Sequence, residues 1–108
     1  LSGDDFTVLP LLAVGGCGVI SVVSNILPHK MSGMCSAWFA GDLAKARELH
    51  YELASFSRMM FMETNPIPAK TSLAMMGRIK LELRLPLVPM GADNSAKLQS
   101  FLREKHLI

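Results

Sequence analysis

The sequence predicts an α/β fold in which short buried strands come early and helices alone follow. Three observations predict it. Val19-Ile20-Ser21-Val22-Val23 is β-branched at four of its five positions and apolar on both parities, the pattern of a parallel strand covered on both faces. Leu43, Ala46, Leu49, Leu53, Phe56 and Met60 recur at spacings of three and four, which makes one continuous helical stripe. Pro and Gly fall between such segments, where turns and helix ends need them.

Leu1-Ser2 reads as the end of a first strand. The chain opens on Leu1-Ser2-Gly3-Asp4-Asp5 without Met, so the expectation is that it begins inside an ordered element. Phe6 to Val14 reads as a short helix whose apolar residues leave little solvent face, and so one that needs cover on more than one side. Gly15-Gly16-Cys17-Gly18 turns the chain into the strand Val19 to Val23, which Ser24-Asn25 closes. A helix then runs from about Pro28, tolerated in a first turn, through Phe39. Gly41 ends it and Asp42 caps the next, which carries the stripe. Lys45, Arg47, Glu48 and Glu52 lie mostly on the other side, and the like-signed Glu48 and Glu52 make that face solvated instead of laced with pairs.

Glu63 to Pro68 interrupts the periodicity with two prolines, and Pro66 biases Asn65 toward extended backbone. A helix resumes from Ala69 to Met76 and Gly77 stops it. Pro86 and Pro89 make Leu81 to Met90 an extended arm, not a sheet strand. The last helix begins around Asp93 to Ser95, burying Ala96, Leu98, Phe101 and Leu102 while exposing Lys97, Gln99, Arg103, Glu104 and Lys105. Two short parallel strands cannot satisfy their own edges and faces in water, so a partner sheet is required, and a closed barrel supplies one without edges.

Composition excludes several function classes. Eleven Lys and Arg against nine Asp and Glu give a net charge of +2, dispersed and without an aromatic platform, so no nucleic-acid partner is expected. No apolar run suits a membrane span, since Val8 to Ile26 is broken by Pro10, Gly15, Gly16, Gly18 and Asn25. No charged segment precedes that run, so no signal peptide is read. Cys17 and Cys35 are too few for a disulfide scaffold, and a reducing, cytoplasmic setting is the simpler expectation. Met31, Met34, Met59, Met60, Met75 and Met76 read as adaptable core or interface filling.

Candidate chemical residues are sparse. Asp4 and Asp5 follow a strand end, where α/β enzymes present binding groups, yet Asp5 can equally cap the following helix. Gly15-Gly16-Cys17-Gly18 precedes a strand and lacks a Gly-Lys-Ser/Thr ending, so it is a tight turn and not a phosphate loop. Gly3 and Gly18 are places of close backbone approach or positive φ. His29, His50 and His106 match no zinc spacing with either Cys, so no metal site is expected. Ser21, Ser24 and Asn25 can offer hydroxyl or amide groups, but no Gly-x-Ser-x-Gly elbow is present. No Lys lies in Val19 to Val23, and Lys70 reads as a helical residue after the proline turn.

Leu1-Ser2-Gly3-Asp4-Asp5, Gly15-Gly16-Cys17-Gly18-Val19-Ile20-Ser21-Val22, Asn65-Pro66-Ile67-Pro68-Ala69-Lys70 and Arg84-Leu85-Pro86-Leu87-Val88-Pro89 together resemble the C-terminal third of the dihydrodipicolinate synthase family, across essentially the whole chain. Cys17, where polar or basic residues are common, and Ala69, where Val is usual, are mild departures. The resemblance implies a C-terminal fragment of a (β/α)8 TIM barrel with a helical C-terminal extension. Residues 1–61 are then the last strands and helices of the barrel, with Leu1 to Asp5 in strand seven and Val19 to Val23 strand eight, and residues 62–108 the extension. It implies a class I aldolase in which a lysine forms a Schiff base with pyruvate and the enamine attacks aspartate semialdehyde, toward diaminopimelate and lysine, with no cofactor.

By the same resemblance, Gly3 lies on the substrate carboxylate side, Asp4 and Asp5 lie near the way in for the aldehyde, and Ile20 offers its backbone carbonyl to the lysine and bound pyruvate. The Schiff-base lysine, its proton-relaying tyrosine and threonine, and the substrate-holding arginine all belong upstream, as do the residues for feedback by lysine. No catalytic residue is therefore assigned here, the chain alone is expected to be inactive, and its partner is the N-terminal part of the same barrel. Pro10, Ala13 and Val14 resemble the surface where two tight dimers form a homotetramer. Another pyruvate-dependent aldolase, such as N-acetylneuraminate lyase, is the nearest alternative. A free-standing helical interaction module is the alternative of another class, and it requires this chain to fold cooperatively alone.

Overall fold

The computed structural model describes residues 1–108 as two compact units, Leu1–Arg58 and Met59–Ile108. Five α-helices carry most of the ordered backbone: α1 Val8–Ala13, α2 Pro28–Phe39, α3 Leu43–Met60, α4 Ile67–Met75 and α5 Ala92–Glu104. Short 3-10 turns occupy Asp5–Thr7 and Val23–Asn25. The β content is one isolated parallel bridge, Ser2 with Val19.

In the first unit the expected helix over Phe6 to Val14 divides into the turn Asp5–Thr7 and α1. Val8, Leu9 and Leu12 are buried, while Val14 at its C-terminal end is 81% exposed, so α1 has a bare side where its apolar sequence predicts cover. The expected bounds of α2 hold, with Pro28 in the first turn where its missing N–H costs nothing. At its end Gly41, at φ 80°, lets Asp42 N–H reach Ala37 O at 2.9 Å and closes the helix. Asp42 then caps α3 through Oδ1, which accepts the Lys45 amide at 3.0 Å.

The α3 stripe buries Ala46, Leu49, Leu53, Phe56 and Met60, but Leu43 in the first turn is half exposed. The outer face is also less purely solvated than expected. Lys45 pairs with Glu48 at 2.9 Å, and Lys30 of α2 pairs with Glu52. On α2, Gly33 lets Leu49 Cδ1 stand 3.5 Å from where a β-carbon would be, and Met31 and Met34 are buried.

In the second unit α4 begins at Ile67, two residues before the expected start. Pro68 does not delay it, because a first-turn residue needs no amide partner. Thr71 and Ser72 are buried and donate their hydroxyls to the carbonyls of Ile67 and Pro68, each at 2.8 Å, so the helix interior satisfies its own polar groups. Asn65–Pro66 and Leu85–Pro86 are cis peptide bonds.

From Arg78 to Gly91 no regular helix forms, in keeping with the expected arm, and Lys70 Nζ donates to Glu82 O within it. The last helix packs against α4 and buries Leu98 and Leu102 completely. Ala96, expected inside, is exposed, and Phe101 is half-buried. The helix presents a narrower buried stripe than the apolar residues alone suggested.

Candidate functional site

The site forms where the chain's two extended segments meet side by side. Ser2 N–H donates to Gly18 O and Ile20 N–H to Ser2 O, both at 2.8 Å, which is one rung of a parallel ladder. The pairing agrees with the parallel arrangement expected, but the strand from Val19 to Val23 does not continue. A continuing ladder would take Asp4 N–H to Ile20 O and Val22 N–H to Asp4 O. Instead Asp4 N–H goes to Ser2 Oγ at 3.1 Å and Val22 N–H to Asp5 Oδ2 at 2.9 Å. Two side chains thus stop the ladder, and the backbone curls into the turn Val23–Asn25.

That arrangement separates the two aspartates by role. Asp4, not Asp5, caps the local turn, its Oδ2 accepting the Thr7 amide at 3.0 Å. Asp5 is 4% exposed and reaches across the sequence. Its Oδ1 accepts Ser21 Oγ–H, and its Oδ2 accepts the amides of Val22 and, at 3.4 Å, Val23. Ser21 Oγ in turn accepts Ser24 N–H at 2.9 Å. A buried carboxylate is tolerable only with such partners, since its desolvation is otherwise costly.

Ile20 sits between these anchors. Its side chain is 72% exposed and its amide is bound to Ser2, while its carbonyl stays outside the ladder. Gly3 is exposed, with no heavy atom within 4 Å of where a β-carbon would stand, so its backbone is open to approach. A cavity of about 250 Å³ adjoins the bridge, lined by Val19, Ser21, Ser24, Met31 and Cys35. Burial pushes the Cys35 thiol up from its ordinary 9.0, which keeps it protonated and weakly nucleophilic at neutral pH. Of the candidates for direct contact, Ser21 is bonded to Asp5 and Ser24 to Ser21.

Pro10, Ala13 and Val14 lie on the exposed side of α1. Pro10 and Ala13 border a groove of about 420 Å³ with Trp38, Leu43 and Tyr51. No group of three or more His, Cys, Asp or Glu is arranged to hold a metal ion. No helix is long and apolar enough to cross a membrane.

Sequence reasoning missed two contributors. Ser2 has a local signal, because a Ser two residues before another amide readily bonds it in a Ser/Thr turn. The Asp5 contact with Ser21 spans 16 residues and has no local signature.

A parallel pairing that ends in open backbone groups, beside a cavity and followed by helices, has the form of the strand ends at which α/β proteins bind small molecules. The chain belongs to the dihydrodipicolinate synthetase family, whose model matches residues 1–105. A 4-hydroxy-tetrahydrodipicolinate synthase of Nitratidesulfovibrio vulgaris (strain DSM 19637 / Miyazaki F) is 69% identical over 102 residues, which cover 94% of this chain and 35% of the relative. The crystal structure of dihydrodipicolinate synthase from Thermotoga maritima is similar at a TM-score of 0.94 and 47% identity, over 99% of this chain and 36% of that one. A structure described as the first monomeric dihydrodipicolinate synthase variant is similar at 0.93 and 47%, with the same coverage of 99% and 36%. The chain therefore spans little more than a third of the length of the relatives it matches.

Proposed function

We propose that the protein carrying this chain is a cytoplasmic class I aldolase that condenses pyruvate with L-aspartate 4-semialdehyde, toward diaminopimelate and lysine. The observation that carries the reading is the 69% identity to a named synthase over 94% of the chain. In this reading the bridge of Ser2 with Val19 is the join between strands seven and eight of a (β/α)8 barrel. Residues 1–61 complete that barrel and residues 62–108 extend it.

The chemistry follows from the nucleophile. A lysine from the remainder of the barrel forms a Schiff base with pyruvate, and the protonated imine withdraws electrons so that the methyl carbon becomes an enamine nucleophile without a metal. This chain's share is to bind and orient. The Ile20 carbonyl, kept out of the ladder, is an acceptor for the hydroxyl that develops as the lysine adds to the pyruvate carbonyl, before water leaves to give the imine. The open backbone of Gly3 admits the substrate carboxylate, and Asp4, half-buried beside it, faces the aldehyde's path. Without the lysine, this chain alone carries no turnover.

The exposed side of α1, at Pro10, Ala13 and Val14, is assigned to the contact between dimers of a homotetramer.

Borohydride reduction in the presence of pyruvate tests the function. The full-length protein should gain the mass of one reduced pyruvyl group per chain, on a lysine outside residues 1–108. An unmodified protein, or one modified only within this chain, rejects the reading.

A further inference from the structure

We propose that Asp5 is a positioning residue for the Ile20 carbonyl, acting through Ser21 and the Val22 and Val23 amides, and is not a ligand of the aldehyde substrate. The inference rests on the aldolase reading and deepens it. A substrate ligand needs a carboxylate oxygen with room for a new partner. Asp5 is 4% exposed, with one oxygen on Ser21 Oγ and the other on two backbone amides. Asp4 is half-buried, and its one capping bond is on an exposed amide, so it is the aspartate left for the aldehyde.

What Asp5 controls is the fate of the ladder. After Ile20 N–H binds Ser2 O, the next two rungs would consume Ile20 O and then Asp4 O. Asp5 takes the Val22 amide that would make the second of these, and its hold on Ser21 turns the chain away directly after Ile20. Ser2 Oγ takes the Asp4 amide that would make the first. Ile20 is thereby anchored by its own amide and by its neighbour's hydroxyl while its carbonyl stays unpaired. Loss of Asp5 frees Ser21 to Val23 to extend, and the carbonyl is drawn into pairing or displaced from the bound pyruvate.

The test uses the full-length protein with Asp5→Asn, Ser21→Ala and Ser21→Thr, measuring kcat, the KM of each substrate and the rate of borohydride trapping with pyruvate. Asp5→Asn and Ser21→Ala should each lower kcat and the trapping rate about tenfold, as small misplacements of reacting groups do, with the aldehyde KM moved less than about twofold. Ser21→Thr restores the hydroxyl and should return both rates to within about twofold of the parent. A rise in aldehyde KM with kcat unchanged for Asp5→Asn overturns the proposal, as does a Ser21→Ala protein of ordinary kcat. If Asp5→Asn does not fold, the two Ser21 variants decide. Absence of trapping in the unsubstituted protein is a different result, since it removes the aldolase reading itself.

Discussion

Asp5 in the first unit and Glu63 in the second both use a carboxylate to hold backbone far away in sequence, at very different depths. Asp5 is buried and serves two amides and a hydroxyl at Ser21 to Val23. Glu63 is half-buried, and its Oε1 accepts the Gly91 amide at 3.1 Å and the Asn94 side-chain amide at 2.8 Å, at the start of α5. Water can replace Glu63 but not Asp5. Comparable hydrogen bonds therefore differ in energetic weight according to what is left behind when they break.

Removing Asp5 gives the largest expected effect. In Asp5→Ala the Ser21 hydroxyl and the Val22 and Val23 amides lose their acceptor in a part-buried site, at a cost of about 3 kcal/mol. Glu63→Ala exposes its donors to solvent and should cost about 1 kcal/mol, with faster hydrogen exchange confined to the first turn of α5. Urea unfolding of the full-length protein compares the two variants directly. Equal losses break the contrast, and a larger loss for Glu63→Ala reverses it.

The same contrast explains what was legible in the sequence. Helices α2 and α3 are legible in position and extent, because Pro28, Gly41, Asp42 and the stripe from Ala46 to Met60 all carry local signals that agree. Helix α4 starts two residues before the predicted Ala69, because its first turn accepts Pro68. The strand predicted over Val19 to Val23 stops early for a different reason. Its β-branched residues favour extension, but Asp5 competes from 16 residues away, a contact that leaves no mark on periodicity, and Ser2 takes the Asp4 amide that would have continued the pairing. Ile20 is a candidate through family resemblance alone, whereas Gly3 also carries the local signal of a residue that permits close backbone approach. Nothing in an exposed Ile side chain announces that its carbonyl is the useful atom.

The smallest expected effect belongs to Lys30 and Glu52, an ion pair between α2 and α3 whose side chains are each 41% exposed. Two solvated charges gain little by meeting, and ordering their long side chains offsets part of that gain. An uncharged contact also joins the two helices, the close approach of Leu49 to Gly33. A double-mutant cycle with Lys30→Ala and Glu52→Ala should therefore give a coupling of about 0.5 kcal/mol or less, fading with added salt. A coupling near that of Asp5, insensitive to salt, would mean that the pair is shielded from water, and exposure would no longer separate the weak charged contacts of this chain from the strong one.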